Sequence, residues 1–441
     1  MYRKWSAYAK EQKIDPYQMI EVRANLLLMF GQLSKCYTTD KKSKILHIFL
    51  KNNPDILLVT IDKSKNMIFI KYLDYIQKLD EVFSDPQKFE KLSQNPLETD
   101  IKSFRALVNT MEPYVNLKTY RQIQPCDSIK KSYGVLKMHK IGHPFRPIVS
   151  SLNTVTSGAE AYIQNVFKPM ISECTYSIDS IKTFKLNFLK NRDKFNESIH
   201  EIVSFDVVQL FPNINVKRVI TNIIDKIYKN KKFYFKEGKD ENGNKIKYPP
   251  KQIFKKFVED TILKYSAFSS LNGFFRQISG VSMGSKLSPI LANIFMNIME
   301  QTIIKKHQMN GNIITYERYV DDVYAVILKG SRDNILKDMH TFDPNIKFTT
   351  EMMENQEISF LDTKIYIKNG KLEMKMFRKK SASEVITNFR ESVTPKKYLI
   401  STLYGEIYRC NNTTSNDGDL NIALSNFNGF SSKKRIPFIL S

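Results

Sequence analysis

No two of the four cysteines stand close enough in the chain to make a Cys-x-x-Cys pair, and no histidine lies at ligand spacing from Cys36, Cys126, Cys174 or Cys410. This excludes a standard zinc module and a disulfide scaffold, and it fits a reducing compartment. Long apolar runs are missing too. None approaches the roughly 18 residues of a membrane span, and the opening MYRKWSAYAKEQK lacks the apolar core of a secretory leader. The expectation is a soluble intracellular protein with no membrane partner, nuclear if its host is eukaryotic. Negative charge is also short: 45 Asp and Glu face 68 Lys and Arg, for a net charge of +23 and a pI of about 9.5. Such a field attracts polyanions, nucleic acid first and anionic membrane second. Simple solubility is the bland alternative.

The 441 residues suffice for two or three domains, and 42% hydrophobic content suits a globular core. No internal repeat is visible, and nothing fixes an oligomeric state. Residues 17–50 show helical spacing of apolar side chains. DILLVTI and NMIFI read as strands around a polar turn at Asp62–Asn66, and residues 80–125 read as mostly helical. SYGVLKMHKIGHPFRPIVSS is extended and basic, with Pro144 and Pro147 disfavouring helix. EIVSFDVVQLF is a strand ending at Pro212, followed by a lysine-rich exposed excursion with a turn at Asn242–Gly243. AFSSLNGFFRQI predicts a hairpin with an Asn272–Gly273 turn. SGVSMGSKLSPILANIFMNIMEQTII is a glycine-rich loop opening a helix with proline near its start. The end, 392–441, reads as helical and then polar.

Asp321 and Asp322 lie side by side in ERYVDDVYAV, between two apolar runs that predict paired strands with the dipeptide at their tip. Isolated Asp-Asp pairs are mostly solvated turns, and here the flanks argue otherwise. Asp206, in SFDVVQLF, puts another carboxylate inside an apolar strand, where a buried charge needs a partner or a metal. Bringing the segments together makes three carboxylates converge. Oxygen donors without Cys or His favour Mg²⁺. Two such ions, about 3.5–4 Å apart, are the usual device for in-line phosphoryl transfer. Asp206 and Asp321 are the expected bridging ligands, Asp322 the third, with the Val207 carbonyl completing the shell. Mn²⁺ is the expected substitute ion.

These segments resemble motifs A (SFDVVQLF), B (GVSMGSKLSPILANIFM) and C (RYVDDVYAV) of a reverse transcriptase palm, in the family's order and spacing. The set is most similar to the reverse transcriptases of Penelope-like retroelements, with LKMHKIGHPFRPIVSS, SLNGFFRQISGVSMG and ISFLDTKIYIKNGKLEMKMFRK added. The likeness covers roughly residues 55 to 410. It implies an α+β right-hand polymerase with fingers, a palm with an antiparallel sheet, and a thumb. The implied division is 1–118 for an N-terminal helical region and the start of the fingers. Fingers and palm follow at 119–367, then primer grip, thumb and polar tail at 368–441.

The resemblance also assigns roles. Arg146 would grip the incoming triphosphate, since guanidinium is a fixed fork of donors, with Lys137 assisting and Lys140 holding template phosphate. Lys65 is a lesser candidate. Phe211 stands at the steric-gate position, where an aromatic ring leaves no room for a 2′-hydroxyl, and so favours deoxynucleotides over an RNA-making activity. Met283 and Gly284 would lie against the nascent base pair. Lys286 departs from the family's proline and adds charge near the template. Lys347 would be a general acid to pyrophosphate, and Arg378, Lys379 and Lys380 would hold backbone phosphates. The implied activity is RNA-directed DNA synthesis from dNTPs on an RNA template with a DNA primer. A template-independent or protein-primed polymerase of a defence system, and a catalytically inactive nucleic-acid-binding protein, stay open. LYGEIYRCNN lacks the catalytic set of a GIY-YIG nuclease, so a nuclease is expected to be absent or encoded beyond this sequence. No RNase H domain is visible.

Overall fold

The computed structural model describes residues 41–62, 67–138, 142–235, 238–240, 243–378 and 395–433. The expected helix at 17–40, Lys65, Lys140, Asn242, Lys379 and Lys380 lie outside them. The described residues of Met1–Leu58 and Phe69–Tyr75 form one compact unit, and those of Val59–Ile68 and Ile76–Ser441 form a second. In the first, the helix Lys41–Asn52 sets the ring of Phe49 edge-on to Phe69, 5.3 Å between centroids.

Strands β1 (Ile56–Thr60) and β2 (Met67–Lys71) occupy the two segments whose pattern predicts them. β3 (Phe89–Leu92), β4 (Lys130–Leu136), β5 (Phe145–Ser150), β7 (Ala267–Ser270) and β8 (Gly273–Gln277) make a five-stranded sheet in the order β3-β8-β7-β4-β5. Its pairs are antiparallel except β4 with β7. β3 interrupts a stretch that reads as helix; Phe89 there packs edge-on against Phe83 at 5.1 Å, so burial overrides local propensity. The β7–β8 hairpin turns at Leu271–Asn272 rather than at Asn272–Gly273, because Ser270 pairs with Gly273. Gly273 is instead the first strand residue, at φ +132°.

The central sheet is β6 (His200–Val208), β9 (Ile313–Tyr319), β10 (Asp322–Leu328) and β11 (Lys347–Met352), in the order β11-β6-β10-β9 and antiparallel throughout. Its alternation explains two cores. Val203, Phe205, Val207, Val323, Ala325 and Ile327 face the main core, which includes the helices Val216–Lys229 and Ser288–Met299. Ile202, Tyr324 and Val326 face a smaller core with Phe184 and Phe188 of the helix Ile181–Asn191. That second core also takes residues from β12 (Glu357–Phe360), β13 (Thr363–Lys368) and β14 (Lys371–Met376), a three-stranded sheet. With both faces covered, the five residues Val323–Ile327 are all buried, which is why this strand reads as a continuous apolar run.

Two C-terminal helices follow, Lys396–Asn412 and Asp417–Lys433. The second stands where the sequence reads as polar. Asn416 starts it by accepting from the Asp419 N–H at 2.9 Å, and Asp417 and Asp419 suit the positive end of its dipole.

Candidate active site

Register decides which carboxylates meet. Asp322 of β10 is the direct partner of Asp206 of β6, and the Val207 N–H donates to the Asp321 carbonyl at 3.3 Å. The pair Asp206–Asp322 is therefore of the non-hydrogen-bonded kind, in which side chains lie closest. Both share the sheet face of Ile202, Tyr324 and Val326. That face is covered further along the strands but open at this end, so both aspartates are exposed. The expectation of a buried Asp206 is corrected here: Phe205 and Val207 are buried on the other face, and Asp206 itself points outward. Asp321 is not in the strand. Tyr319 pairs with Asp322, leaving Val320 and Asp321 as a two-residue turn, with Val320 at φ +58°. Among the described residues no three His, Cys, Asp and Glu side chains form a ready-made metal cage. The donor set is all oxygen, which suits a hard cation. The Val207 carbonyl points to the same side of the strand as its N–H, towards the turn.

Lys347 opens β11 opposite Val208, exposed and on the same face as Asp206, whose own partner in β11 is Thr349. Phe211 lies just past β6, after Gln209 in the left-handed region, in the short helix Leu210–Asn213. It is half-buried against the main core, and its carbonyl accepts from the Val281 N–H at 2.9 Å. The glycine-rich loop is thus laced to the segment after β6.

It is laced to β5 as well. The Val149 N–H donates to the Met283 carbonyl at 2.7 Å. Gly284 has φ +118°, and a Cβ there would lie 2.4 Å from the Val149 carbonyl oxygen, so only glycine fits. Sequence reasoning missed what anchors this loop. Glu160, 1% exposed, accepts from Lys130 at 2.9 Å, Thr156 at 2.7 Å, Ser285 at 2.8 Å and the Lys286 N–H at 3.3 Å. Burial pushes the Glu160 carboxyl up, but Lys130 and the two hydroxyls outweigh it and hold it below the ordinary glutamate value. The Lys286 side chain is exposed. The one available signal was Ser-x-x-Glu, Ser157 to Glu160, ahead of an apolar run, which is too common to single out.

Arg146 pairs across β4–β5 with Val135 and contacts Asp62 through one terminal nitrogen at 3.2 Å. Its Nε and the other Asp62 oxygen are buried without hydrogen-bond partners. The fork is thus only partly engaged. Lys137 is half-buried beside it, its N–H donating to the Pro144 carbonyl at 3.0 Å. Arg378 is paired with Glu406 of the first C-terminal helix.

Residues 138–347 match the family model described as reverse transcriptase (RNA-dependent DNA polymerase). The fold is that of a right-hand polymerase. The family match, which takes in β6, β9, β10 and the glycine-rich loop and ends at the first residue of β11, supports a nucleic-acid polymerase of the reverse-transcriptase type. Telomerase from Candida albicans, in complex with a TWJ fragment of telomeric RNA, is similar with a TM-score of 0.54 at 13% identity, over 88% of this chain and 64% of that one. Telomerase from Candida tropicalis with the same kind of RNA fragment gives 0.53 at 12% identity, over 95% and 66%. At such identity the likeness is of fold, and this chain spans just under two thirds of either relative. No curated protein matches the sequence. Among the described residues no helix is long and apolar enough to cross a membrane.

Proposed function

We propose that the protein is an RNA-directed DNA polymerase of a Penelope-like retroelement, extending a primer 3′-hydroxyl with dNTPs. The observation that carries this is the register of the palm: motifs A and C deliver Asp206, Asp321 and Asp322 to one open end of one sheet. Asp206 and Asp321 would hold Mg²⁺, with Asp322 as third ligand and the Val207 carbonyl at the edge of the shell. Bound there, Mg²⁺ would lower the pKa of the primer hydroxyl and neutralise charge on the leaving pyrophosphate.

The chain's own groups supply the rest. Arg146 would offer its unused donors to the triphosphate in exchange for its single contact with Asp62. Phe211 would lie under the deoxyribose. Met283 and Gly284 would let the backbone approach the nascent pair, with the loop fixed by Glu160. Lys347, on the face of Asp206, would give a proton to pyrophosphate, and the positive surface would hold RNA template and DNA primer. The subfamily reading is supported by LKMHKIGHPFRPIVSS, which lies outside motifs A, B and C, and by SLNGFFRQISGVSMG, whose first ten residues precede motif B. The test is primer extension on RNA and DNA templates with each aspartate changed singly to asparagine. Products formed without a template, or ribonucleotide products, would exclude this reading.

A further inference from the structure

Arg318 heads the large side chains that the fold removes wholly from water, and its partner Glu300 is equally buried. A charge so placed is costly unless it is paired and hydrogen-bonded all round. The Arg318 Nε and Nη2 donate to the two carboxylate oxygens of Glu300 at 2.5 and 3.2 Å, fork upon fork. That pairing alone would satisfy the charge. Nη1 does something else: it donates to the Asn293 side-chain oxygen and to the Val320 carbonyl, each at 2.9 Å.

The partners come from the motif B helix. Asn293 lies within Ser288–Met299, and Glu300 is the first residue of the π-helical turn Glu300–Ile304 that continues it. Seven residues apart, they fall on one helix face, towards β9. Ser177 also donates to the Asn293 oxygen, at 3.2 Å. The backbone of Arg318 is tied down independently: its N–H donates to the Tyr176 carbonyl at 2.9 Å and its carbonyl accepts from the Ile178 N–H at 2.8 Å. The guanidinium therefore has a fixed base, a fixed counter-charge and one spare nitrogen aimed at the turn.

Val320 is a β-branched residue in the left-handed region, where such residues are outliers that the surroundings must enforce. Its carbonyl begins the peptide that leads to Asp321. We infer that Arg318 is a positioning residue, which clamps the Val320 carbonyl and so sets where Asp321 stands relative to Asp206. Glu300 and Asn293 hold the clamp. The inference rests on the reading of Asp321 as a metal ligand. It makes the motif B helix, not the hairpin alone, the reference for the metal-binding end of the palm.

The test is Mn²⁺ titration of the full chain followed by electron paramagnetic resonance, with melting curves and the Mg²⁺ dependence of extension measured alongside. Arg318→Met with Glu300→Met removes both buried charges at similar volume, so the fold need not suffer. Arg318→Lys keeps the charge but loses the planar fork. A folded variant of either kind should bind Mn²⁺ about 10- to 100-fold more weakly, as when an outer partner of a metal ligand is lost. Its extension should recover partly at high Mg²⁺, with dNTP affinity little changed. Wild-type Mn²⁺ affinity in a folded variant overturns the inference, and so does loss of the fold in both, which would make the pair purely structural. Failure of the unaltered protein to bind Mn²⁺ is a separate result and overturns the underlying metal reading.

Discussion

Asp206 and Asp322 face one another across a non-hydrogen-bonded pair, while Asp321 stands in the turn beside them. Like charges directly opposite repel, and a shared cation offsets this. Register alone would favour Asp322 as the partner of Asp206, whereas the proposed function takes Asp321 as the indispensable ligand. Asp321→Asn should therefore reduce extension by more than the roughly 100-fold typical of an outer-sphere change. Asp322→Asn should cost less, and single-turnover rates of the two variants decide the order. Phe211→Ala should admit ribonucleotides, read as rNTP against dNTP incorporation by one enzyme; unchanged discrimination would leave Phe211 as core only.

Glu317 carries the residue-scale pH dependence. Burial pushes its carboxyl up to about 7, although Asn187 donates to it at 3.0 Å and Arg192 lines the same small cavity. The folded state then binds a proton that the unfolded chain releases above about 4.5, so stability falls as pH rises from about 5 to 7. Glu317→Gln should flatten that part of the melting-temperature profile. The meeting of Asp206 and Asp322 at the ends of paired strands was legible in the sequence because apolar runs flank them. Arg318, Glu300 and Glu160 were not, because a buried ion pair looks in sequence like any surface charge until packing brings its halves together.

The β9–β10 hairpin and the glycine-rich loop are the elements on which the site stands. A left-handed conformation costs an L-residue about 1–2 kcal/mol, and Val320 sustains it at the turn. Val320→Gly should raise stability by about 1 kcal/mol while slowing extension, since a glycine turn holds Asp321 less firmly; chemical denaturation and extension rates on one preparation test both signs. Breaking the Lys130–Glu160 pair should act oppositely. Glu160→Ala leaves a buried lysine uncompensated and should cost about 3–5 kcal/mol, seen as a lowered denaturation midpoint. The apolar runs on either side of Asp321–Asp322 made the β9–β10 hairpin readable, while the cover on both faces of β10 came only with packing. β3 and the Leu271–Asn272 turn escaped because long-range pairing, not local propensity, sets them.

At the scale of the whole molecule, the +23 charge suits a polyanionic partner. Affinity for a primer–template duplex should fall steeply with salt. Six phosphate contacts would give a log–log slope of about −5, measured by fluorescence anisotropy between low and moderate NaCl. A flat dependence would mean that the excess charge serves solubility alone. Composition points to the sign of such a partner, and the primed template is what the proposed function adds.

The most direct measurement is extension of a DNA primer on an RNA template by the full chain, with dNTPs and Mg²⁺, beside the Asp321→Asn variant. The account predicts template-directed DNA from the unaltered protein, none after chelation of Mg²⁺, and none above background from the variant. An Asp321→Asn protein that extends the primer as well as the original would contradict it.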